Sequence, residues 1–146
     1  MNVRKGTYVL VIALGSDRDI RVGALGTFHF PKGTYCYTGS AMAGLDQRLS
    51  RHLRRDKTLK WHVDYLVKEA DDVRALESYP DPIPECTLAR MAGECGMTPS
   101  VKGFGCSDCK CGTHLFSCDP ESIARLTEAA GLISYNLISF PSGKPL

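Results

Sequence analysis

The fold is decided first by residues 6–14, which read GTYVLVIAL. Aromatic and β-branched side chains dominate this stretch, Gly6 opens it, and the turn-forming residues 15–17 (GSD) follow it. Short apolar runs bounded by turn residues are typical of buried strands. We therefore predict a buried strand over residues 6–14.

Further β-type runs follow before residue 40. Residues 19–25 (DIRVGAL) alternate apolar and polar side chains, which is the period of a half-exposed strand. A short turn leads to a second run at residues 28–30, so that residues 19–30 form a hairpin, and residues 34–38 (TYCYT) form another run. Strands joined by short turns predict an antiparallel meander.

The rest of the chain alternates helical and strand-like patterns. Leu45, Leu49 and Leu53 form one apolar stripe, which predicts a helix over residues 45–55 that packs on the sheet. Helical patterns also cover residues 61–70, 85–93 and 120–130, and strand patterns cover residues 73–79 and 113–118. This order predicts an α+β fold with a small central sheet and a C-terminal strand and helix, formed as one domain over residues 1–146.

Composition and charge narrow the class of protein. Hydrophobic residues make up 43% of the chain, and no stretch approaches the roughly 18 apolar residues of a membrane span. No signal-peptide cleavage site is visible, so we expect a soluble, cytoplasmic protein without a membrane partner. Residues 1–60 hold 11 Lys and Arg against four Asp and Glu, and residues 61–146 hold seven against 12. A basic half favours an anionic partner.

Four polar side chains can meet at one edge of the sheet if the first strand and the strand over residues 34–38 are neighbours. Tyr8 opens the first strand and Tyr37 closes the last β-type run, while Arg48 and His52, four residues apart, project from one face of the next helix. Arginine pairs with two phosphoryl oxygens, and a phenol or an imidazole can orient or deprotonate water. This set of groups suits phosphate chemistry.

The chain resembles the GIY-YIG nuclease superfamily, and more closely its Uri-type branch of small archaeal and bacterial proteins. Six pieces carry the resemblance, in chain order: Gly6-Thr7-Tyr8, Tyr37-Thr38-Gly39-Ser40, Arg48-Leu49-Ser50-Arg51-His52, Lys60-Trp61-His62-Val63-Asp64-Tyr65-Leu66, Glu85-Cys86-Thr87-Leu88-Ala89 and Gly103-Phe104-Gly105-Cys106-Ser107-Asp108-Cys109. Each tripeptide alone is weak evidence, but the order of these pieces on two strands and a helix is specific to the superfamily.

The resemblance implies a metal-dependent endonuclease that hydrolyses phosphodiester bonds in DNA, on a three-stranded antiparallel sheet flanked by helices. It implies that Glu85 binds one Mg²⁺ or Mn²⁺, and one carboxylate is enough for Mg²⁺, which keeps most of its waters. Tyr8 would act as the general base or position the water, and Arg48 would hold the scissile phosphate. His52 and Tyr37 would orient the base or the phosphate. Some proteins of this branch are fused to glycosylases, so a DNA-repair glycosylase is an implied partner.

The chain departs from the family pattern in three respects. Thr7 and Thr38 stand where the family has Ile in the middle of each tripeptide, which strands tolerate because Thr is β-branched. Tyr8 and Tyr37 are 29 residues apart, more than in minimal members, and the predicted hairpin fills this gap. The sequence contains no visible separate DNA-binding domain, so we expect low sequence specificity, or specificity supplied by a partner.

A basic segment follows the helix that carries Arg48 and His52. Its cations suit contacts to the phosphate backbone, which do not read sequence and weaken with salt. The alternative is a solvated helix end whose cations complement the helix dipole. The residues predicted to contact nucleic acid are Arg51, Arg55, Lys57 and Lys60, with Arg54 between them.

Seven cysteines are present, and a cluster lies in the last third of the chain: Cys106, Cys109, Cys111, His114 and Cys118. Thiolate and imidazole are preferred zinc ligands, so this cluster could hold a structural Zn²⁺. A disulfide or redox pair and free thiols are the alternatives, because the spacing is tighter than in common zinc motifs. A non-catalytic nucleic-acid-binding module stabilised by this zinc or thiol cluster is the alternative function.

Overall fold

The computed structural model describes residues 3–54, 57–106 and 111–135. In chain order the strands are β1 (Gly6–Leu14), β2 (Arg18–Arg21), β3 (Thr27–Phe30), β4 (Gly33–Ala41), β5 (Asp72–Ser78), β6 (Thr98–Pro99), β7 (Leu115–Cys118) and β8 (Ile133–Ser134). The helices are α1 (Leu45–Leu53), α2 (His62–Glu69), α3 (Glu85–Glu94) and α4 (Pro120–Ala130). The α+β class is confirmed.

The main sheet has six strands in the order β6-β7-β4-β1-β5-β8, and every neighbouring pair is antiparallel. The expected three-stranded sheet is therefore too small, although its three longest strands, β4-β1-β5, form the centre. β6 and β8 are two residues each, too short to give a period in the sequence.

The meander prediction is wrong, because β1 pairs directly with β4. The predicted hairpin is present, with β2 and β3 forming a separate two-stranded sheet. The strand expected over residues 19–25 ends at Arg21, and Gly23–Leu25 form a 3-10 helix instead. Gly23 has a positive φ of 51°, which breaks the extended conformation there.

The sheet separates two hydrophobic layers. On β1, Tyr8, Leu10 and Ile12 pack toward α1, α2 and the hairpin, whereas Val9 and Val11 pack toward α3 and α4. This split follows from the alternation of side chains along a strand. Because both faces are covered, β1 carries the near-continuous apolar run that the sequence shows.

The helices begin and end close to the predicted residues. α4 matches its prediction, with Asp119 accepting a hydrogen bond from the Ser122 N–H and Gly131 ending the helix at φ 65°. α1 ends at Leu53, two residues before the predicted end. In the part of the chain that the structure describes, no helix is long and apolar enough to cross a membrane.

Candidate active site

A buried tyrosine–histidine pair lies at one end of the sheet. Tyr8 of β1 and His52 of α1 are each 1% exposed, and 2.8 Å separates the Tyr8 Oη from the His52 Nε2. The Tyr8 ring fits there because its β4 neighbour is Gly39: a Cβ at Gly39 would collide with the Tyr8 Oη and Cζ. The last residue of the Tyr37-Thr38-Gly39 tripeptide thus makes room for the last residue of the first tripeptide.

The pair is neutral at physiological pH. Burial, with a smaller contribution from the positive charge of Lys57, lowers the pKa of His52 to about 3. Burial raises the pKa of Tyr8 to about 12, although the positive charge of Arg48 opposes this shift. The phenol therefore keeps its proton and the imidazole does not take one up.

A buried carboxylate lies behind the histidine. The Asp64 Oδ1 is 4.0 Å from the His52 Nδ1, and among the described residues this Nδ1 has no hydrogen-bond partner. With the ring proton on Nδ1, facing the carboxylate, Nε2 accepts the hydrogen bond from Tyr8. Asp64, His52 and Tyr8 thus form a line along which a proton can move from the phenol toward the imidazole.

Asp64 is fully buried and also holds Arg51, which donates to both of its carboxylate oxygens at 2.9 Å. Burial opposes the ionisation of Asp64, but the Arg51 hydrogen bonds and the backbone N–H groups of Trp61 and Lys60 outweigh it and lower its pKa. Asp64 belongs to the Lys60–Leu66 piece of the resemblance, but no catalytic role was predicted for it from the sequence. Its position in the first turn of α2 was the available signal.

Tyr37 extends the site along β4. Its ring centroid lies 6.4 Å from that of Tyr8, and it is 9% exposed. Burial, then the neighbouring Tyr8 and the negative charge of Glu85, raise the pKa of Tyr37 well above its usual range. Gly105, at φ 72°, lies against the Tyr37 ring, where a Cβ would come within 2.8 Å of Cε1. The loop that carries Gly105 therefore covers this phenol.

Arg48 is half-buried beside Tyr8. Its Nη1 donates to the Ser40 carbonyl at 2.8 Å, and its guanidinium lies 4.5 Å from the centroid of the Trp61 ring. Among the described residues it forms no ion pair with a carboxylate. Its charge is thus oriented by a carbonyl and an aromatic face and is not neutralised, as a phosphate ligand requires.

The other predicted cations differ in what they contact. Arg51 forms the internal ion pair with Asp64, and the Lys57 Nζ donates to the carbonyls of Arg51 and His52 at the end of α1. Lys60 is exposed, with its Nζ 4.9 Å from the Trp61 ring centroid. Arg55 lies outside the described residues. A shallow depression of about 530 Å³ is lined by Arg51, Arg54, Lys57, Thr58, Leu59 and Lys60.

Glu85 is the first residue of α3, on the other side of the sheet from α1. Its side chain is 36% exposed, and its Oε2 lies 3.6 Å from the Nδ1 of His114. Its negative charge contributes to the raised pKa of both Tyr8 and Tyr37, so it acts on the same region. Asp64, the other carboxylate that raises the pKa of these phenols, is buried and ion-paired, whereas Glu85 is partly exposed and could offer its oxygens to Mg²⁺ or Mn²⁺, as the resemblance implies.

Thr7 and Thr38, the middle residues of the two tripeptides, both help to position this edge. Thr7 donates from its Oγ1 to the carbonyl of Ile83 at 2.5 Å, which ties β1 to the segment leading into Glu85. The Oγ1 of Thr38 is 2.8 Å from the Nδ1 of His114. An isoleucine at either position would have no polar atom for these contacts. The structure thus gives both substitutions a local reason.

The cysteine cluster divides into separate groups. The Cys118 Sγ lies 3.3 Å from the Cys36 Sγ, away from His114, and Cys106 donates to the Phe104 carbonyl. Cys109 lies outside the described residues. Cys111 and His114 instead meet Cys86, and the ligand atoms of these three residues all lie within 4.8 Å of one another. Cys86 was not in the cluster predicted from the sequence, because 28 residues separate it from His114.

The structure therefore brings Tyr8, Tyr37, Arg48 and His52 together, and the charge of Glu85 raises the pKa of both phenols. The catalytic roles of these five residues stay predictions. Fold and site define an α+β domain with a buried tyrosine–histidine pair at one end of an antiparallel sheet. The family described as "Domain of unknown function DUF123" matches residues 7–133, and the chain belongs to this family. No curated protein and no solved structure matches the chain.

Proposed function

We propose that this protein is a metal-dependent endonuclease of the GIY-YIG type that hydrolyses phosphodiester bonds in DNA with low sequence specificity, in repair or processing. The observation that carries the proposal is the 2.8 Å hydrogen bond between Tyr8 and His52, with Arg48 and Tyr37 beside it. These are the side chains that the resemblance names, and they come from two strands and one helix.

The proton path supports a role for Tyr8 as the group that activates water. Because the pKa of Tyr8 is about 12, its phenol is protonated at neutral pH and is only a weak base in that form. As the Tyr8 oxygen accepts a proton from water, its own proton passes to the His52 Nε2, and the Asp64 carboxylate stabilises the imidazolium that forms. The hydroxide that results attacks the phosphorus.

Arg48 and Glu85 have different roles at the phosphate. The Arg48 guanidinium, held by the Ser40 carbonyl and Trp61, pairs with phosphoryl oxygens as negative charge develops on them. Glu85 supplies the one carboxylate for Mg²⁺ or Mn²⁺. When bound, such an ion polarises the phosphate and stabilises the leaving oxygen.

The basic depression supports binding to the DNA backbone. Arg54 and Lys60 are exposed there, whereas Arg51 and Lys57 make internal contacts and add positive potential from within. Cations of this kind contact phosphates without reading bases. A DNA-repair glycosylase is the protein partner that we propose from the same resemblance.

The proposal requires the site to open when DNA binds. Tyr8 is 1% exposed and Tyr37 is 9% exposed, so neither phenol can meet a water held against a phosphodiester in this state. The segment around Gly105, which lies against Tyr37, is the nearest covering group on that side. Its displacement would expose the edge of the Tyr37 ring.

The test is cleavage of supercoiled plasmid by the purified protein. We expect nicking with Mg²⁺ or Mn²⁺ and none with EDTA, and we expect Arg48→Ala and Glu85→Ala each to reduce the rate by about 100-fold or more. The matched controls are Arg90→Ala and Glu94→Ala, which remove an exposed ion pair on α3. Full activity in both Arg48→Ala and Glu85→Ala would show that the assigned site is wrong.

The same assay separates the alternative function. A non-catalytic nucleic-acid-binding module would bind DNA in a mobility-shift assay that contains EDTA. It would not nick plasmid or branched DNA with either Mg²⁺ or Mn²⁺. Binding that weakens with salt without any cleavage would favour that alternative.

A further inference from the structure

We propose that Cys86, Cys111 and His114 ligate a zinc ion that joins the first turn of α3 to the segment before β7. The three ligand atoms lie within 4.8 Å of one another, and 3.9 Å separates the Cys86 Sγ from the His114 Nε2. Zinc–ligand bonds of about 2.3 Å to sulfur and 2.0–2.1 Å to nitrogen place ligand atoms about 3.6 Å apart at tetrahedral angles. A small inward movement of the side chains would therefore close the site.

The histidine presents the appropriate nitrogen. The His114 Nδ1 lies 3.2 Å from the Thr38 carbonyl oxygen, which can only accept, and 2.8 Å from the Thr38 Oγ1. Nδ1 therefore carries the ring proton, and the lone pair is on Nε2, the atom that faces Cys86. Histidines that bind metals commonly donate their other ring nitrogen in this way, which fixes the tautomer and raises the basicity of the ligand.

The chemistry of the donor atoms favours zinc, and the exposure of Cys86 gives the ion a way in. Two thiolates and one imidazole are soft to borderline ligands that suit Zn²⁺, whereas Mg²⁺ takes oxygen ligands. His114 is fully buried, Cys111 is half-buried and Cys86 is exposed, so the ion can reach the site from the Cys86 side. Three protein ligands leave the fourth position for water or another ligand.

The consequence for the fold is a cross-link between two segments that pack against the same end of β4. Cys86 follows Glu85 directly, and His114 is within 3.6 Å of the Glu85 Oε2. A zinc ion here would fix the start of α3 and so limit the movement of the Glu85 carboxylate. The zinc site itself does not depend on whether the protein cleaves DNA.

The test is metal content together with cobalt substitution in the full chain. Protein purified without chelators should contain about one zinc per chain, and the cobalt form should show thiolate-to-cobalt absorption and the visible bands of a tetrahedral site. Cys86→Ser and Cys111→Ser should each lose most of the metal and the thiolate absorption. Cys95→Ser, at the other end of α3, is the matched control and should keep both.

Circular dichroism would check that each variant folds, and Cys86→Ser is the safer variant because this side chain is exposed. The proposal is overturned if the wild-type protein binds neither zinc nor cobalt, if both serine variants keep a full complement of metal, or if mass spectrometry finds a Cys86–Cys111 disulfide. Glu85→Ala should keep the zinc while losing nicking. Loss of the nuclease proposal alone would therefore leave the zinc result unchanged.

Discussion

The two halves of the candidate site are held in different ways. The Tyr8–His52 pair is buried between β1 and α1, and its members contact each other directly. Glu85, at the start of α3, is 36% exposed, and its Oε2 lies 3.6 Å from the His114 Nδ1. One half is part of the hydrophobic core, and the other lies at the edge of the sheet.

The difference follows from what each half would do. Burial gives the Tyr8–His52 pair a fixed geometry and keeps it uncharged at rest, so the imidazolium of the proposed proton path needs the Asp64 carboxylate beside it. A carboxylate that binds an exchangeable ion needs access to water, because Mg²⁺ keeps most of its hydration shell. In the structure the uncharged pair is buried and the Glu85 carboxylate is partly exposed.

The largest effect is expected from removing the Tyr8 hydroxyl, which tests the role of the buried half of the site. Tyr8→Phe keeps the ring but interrupts the path to His52, and we expect the nicking rate to fall by about 10²–10⁴-fold, as for loss of a general base. Plasmid nicking at saturating Mg²⁺ measures this effect.

The control is Tyr35→Phe, at the other end of β4, where a buried phenol donates to the Pro31 carbonyl. It should change the nicking rate no more than a few-fold. If Tyr8→Phe were as active as Tyr35→Phe, the Tyr8 oxygen would have no part in catalysis.

The pH dependence of stability tests the neutral state of His52. Its pKa is about 3 when folded, against about 6.5 when unfolded, so below pH 6.5 the unfolded chain binds more protons and stability falls as the pH falls. Between pH 7 and pH 5 this contribution lowers the free energy of unfolding by about 2 kcal/mol. Urea unfolding of the wild type and of His52→Gln at both pH values measures it.

The variant should lose less stability than the wild type over this interval, by about 2 kcal/mol. An equal loss in the two proteins would mean that the folded imidazole titrates near its usual pKa and that burial does not disfavour its charged form.

The smallest effect concerns the exposed half. Thr7→Val removes the hydrogen bond to the Ile83 carbonyl, and we expect a loss of about 1 kcal/mol in unfolding free energy. Because Ile83 leads into Glu85, we also expect the Mg²⁺ concentration for half-maximal nicking to rise. Thr34→Val, at the opposite end of β4, is the control and should leave this concentration unchanged. If the Mg²⁺ concentration for half-maximal nicking rose in both variants, the metal requirement would not depend on the Thr7 contact.

Local patterns predicted most elements but not the extent of the sheet. The apolar run of β1 and the capped start of α4 act over a few residues, and both predictions are confirmed. The predicted meander was wrong because β1 pairs directly with β4, while the hairpin between them pairs with itself. Chain order alone does not distinguish these pairings.

The site shows the same limit. Arg51 was predicted to contact phosphate, but its guanidinium reaches Asp64, 13 residues further along the chain. Cys86 was omitted from the thiol cluster, and Cys118 was included although it lies beside Cys36. In each case the partner is distant in sequence, and only packing brings the side chains together.

Residue type and spacing along the chain were enough to predict most of the strands and helices, which of their faces are apolar, and the order of the two tyrosines, the arginine and the histidine. These features depend on periodicity and on residue type at each position. The tertiary structure alone decided that Asp64 lies behind His52, that Thr7 and Thr38 hold the edge near Glu85, and that Cys86 meets His114. Such contacts depend on how covered faces fit together, and close packing selects among arrangements that share the same local pattern.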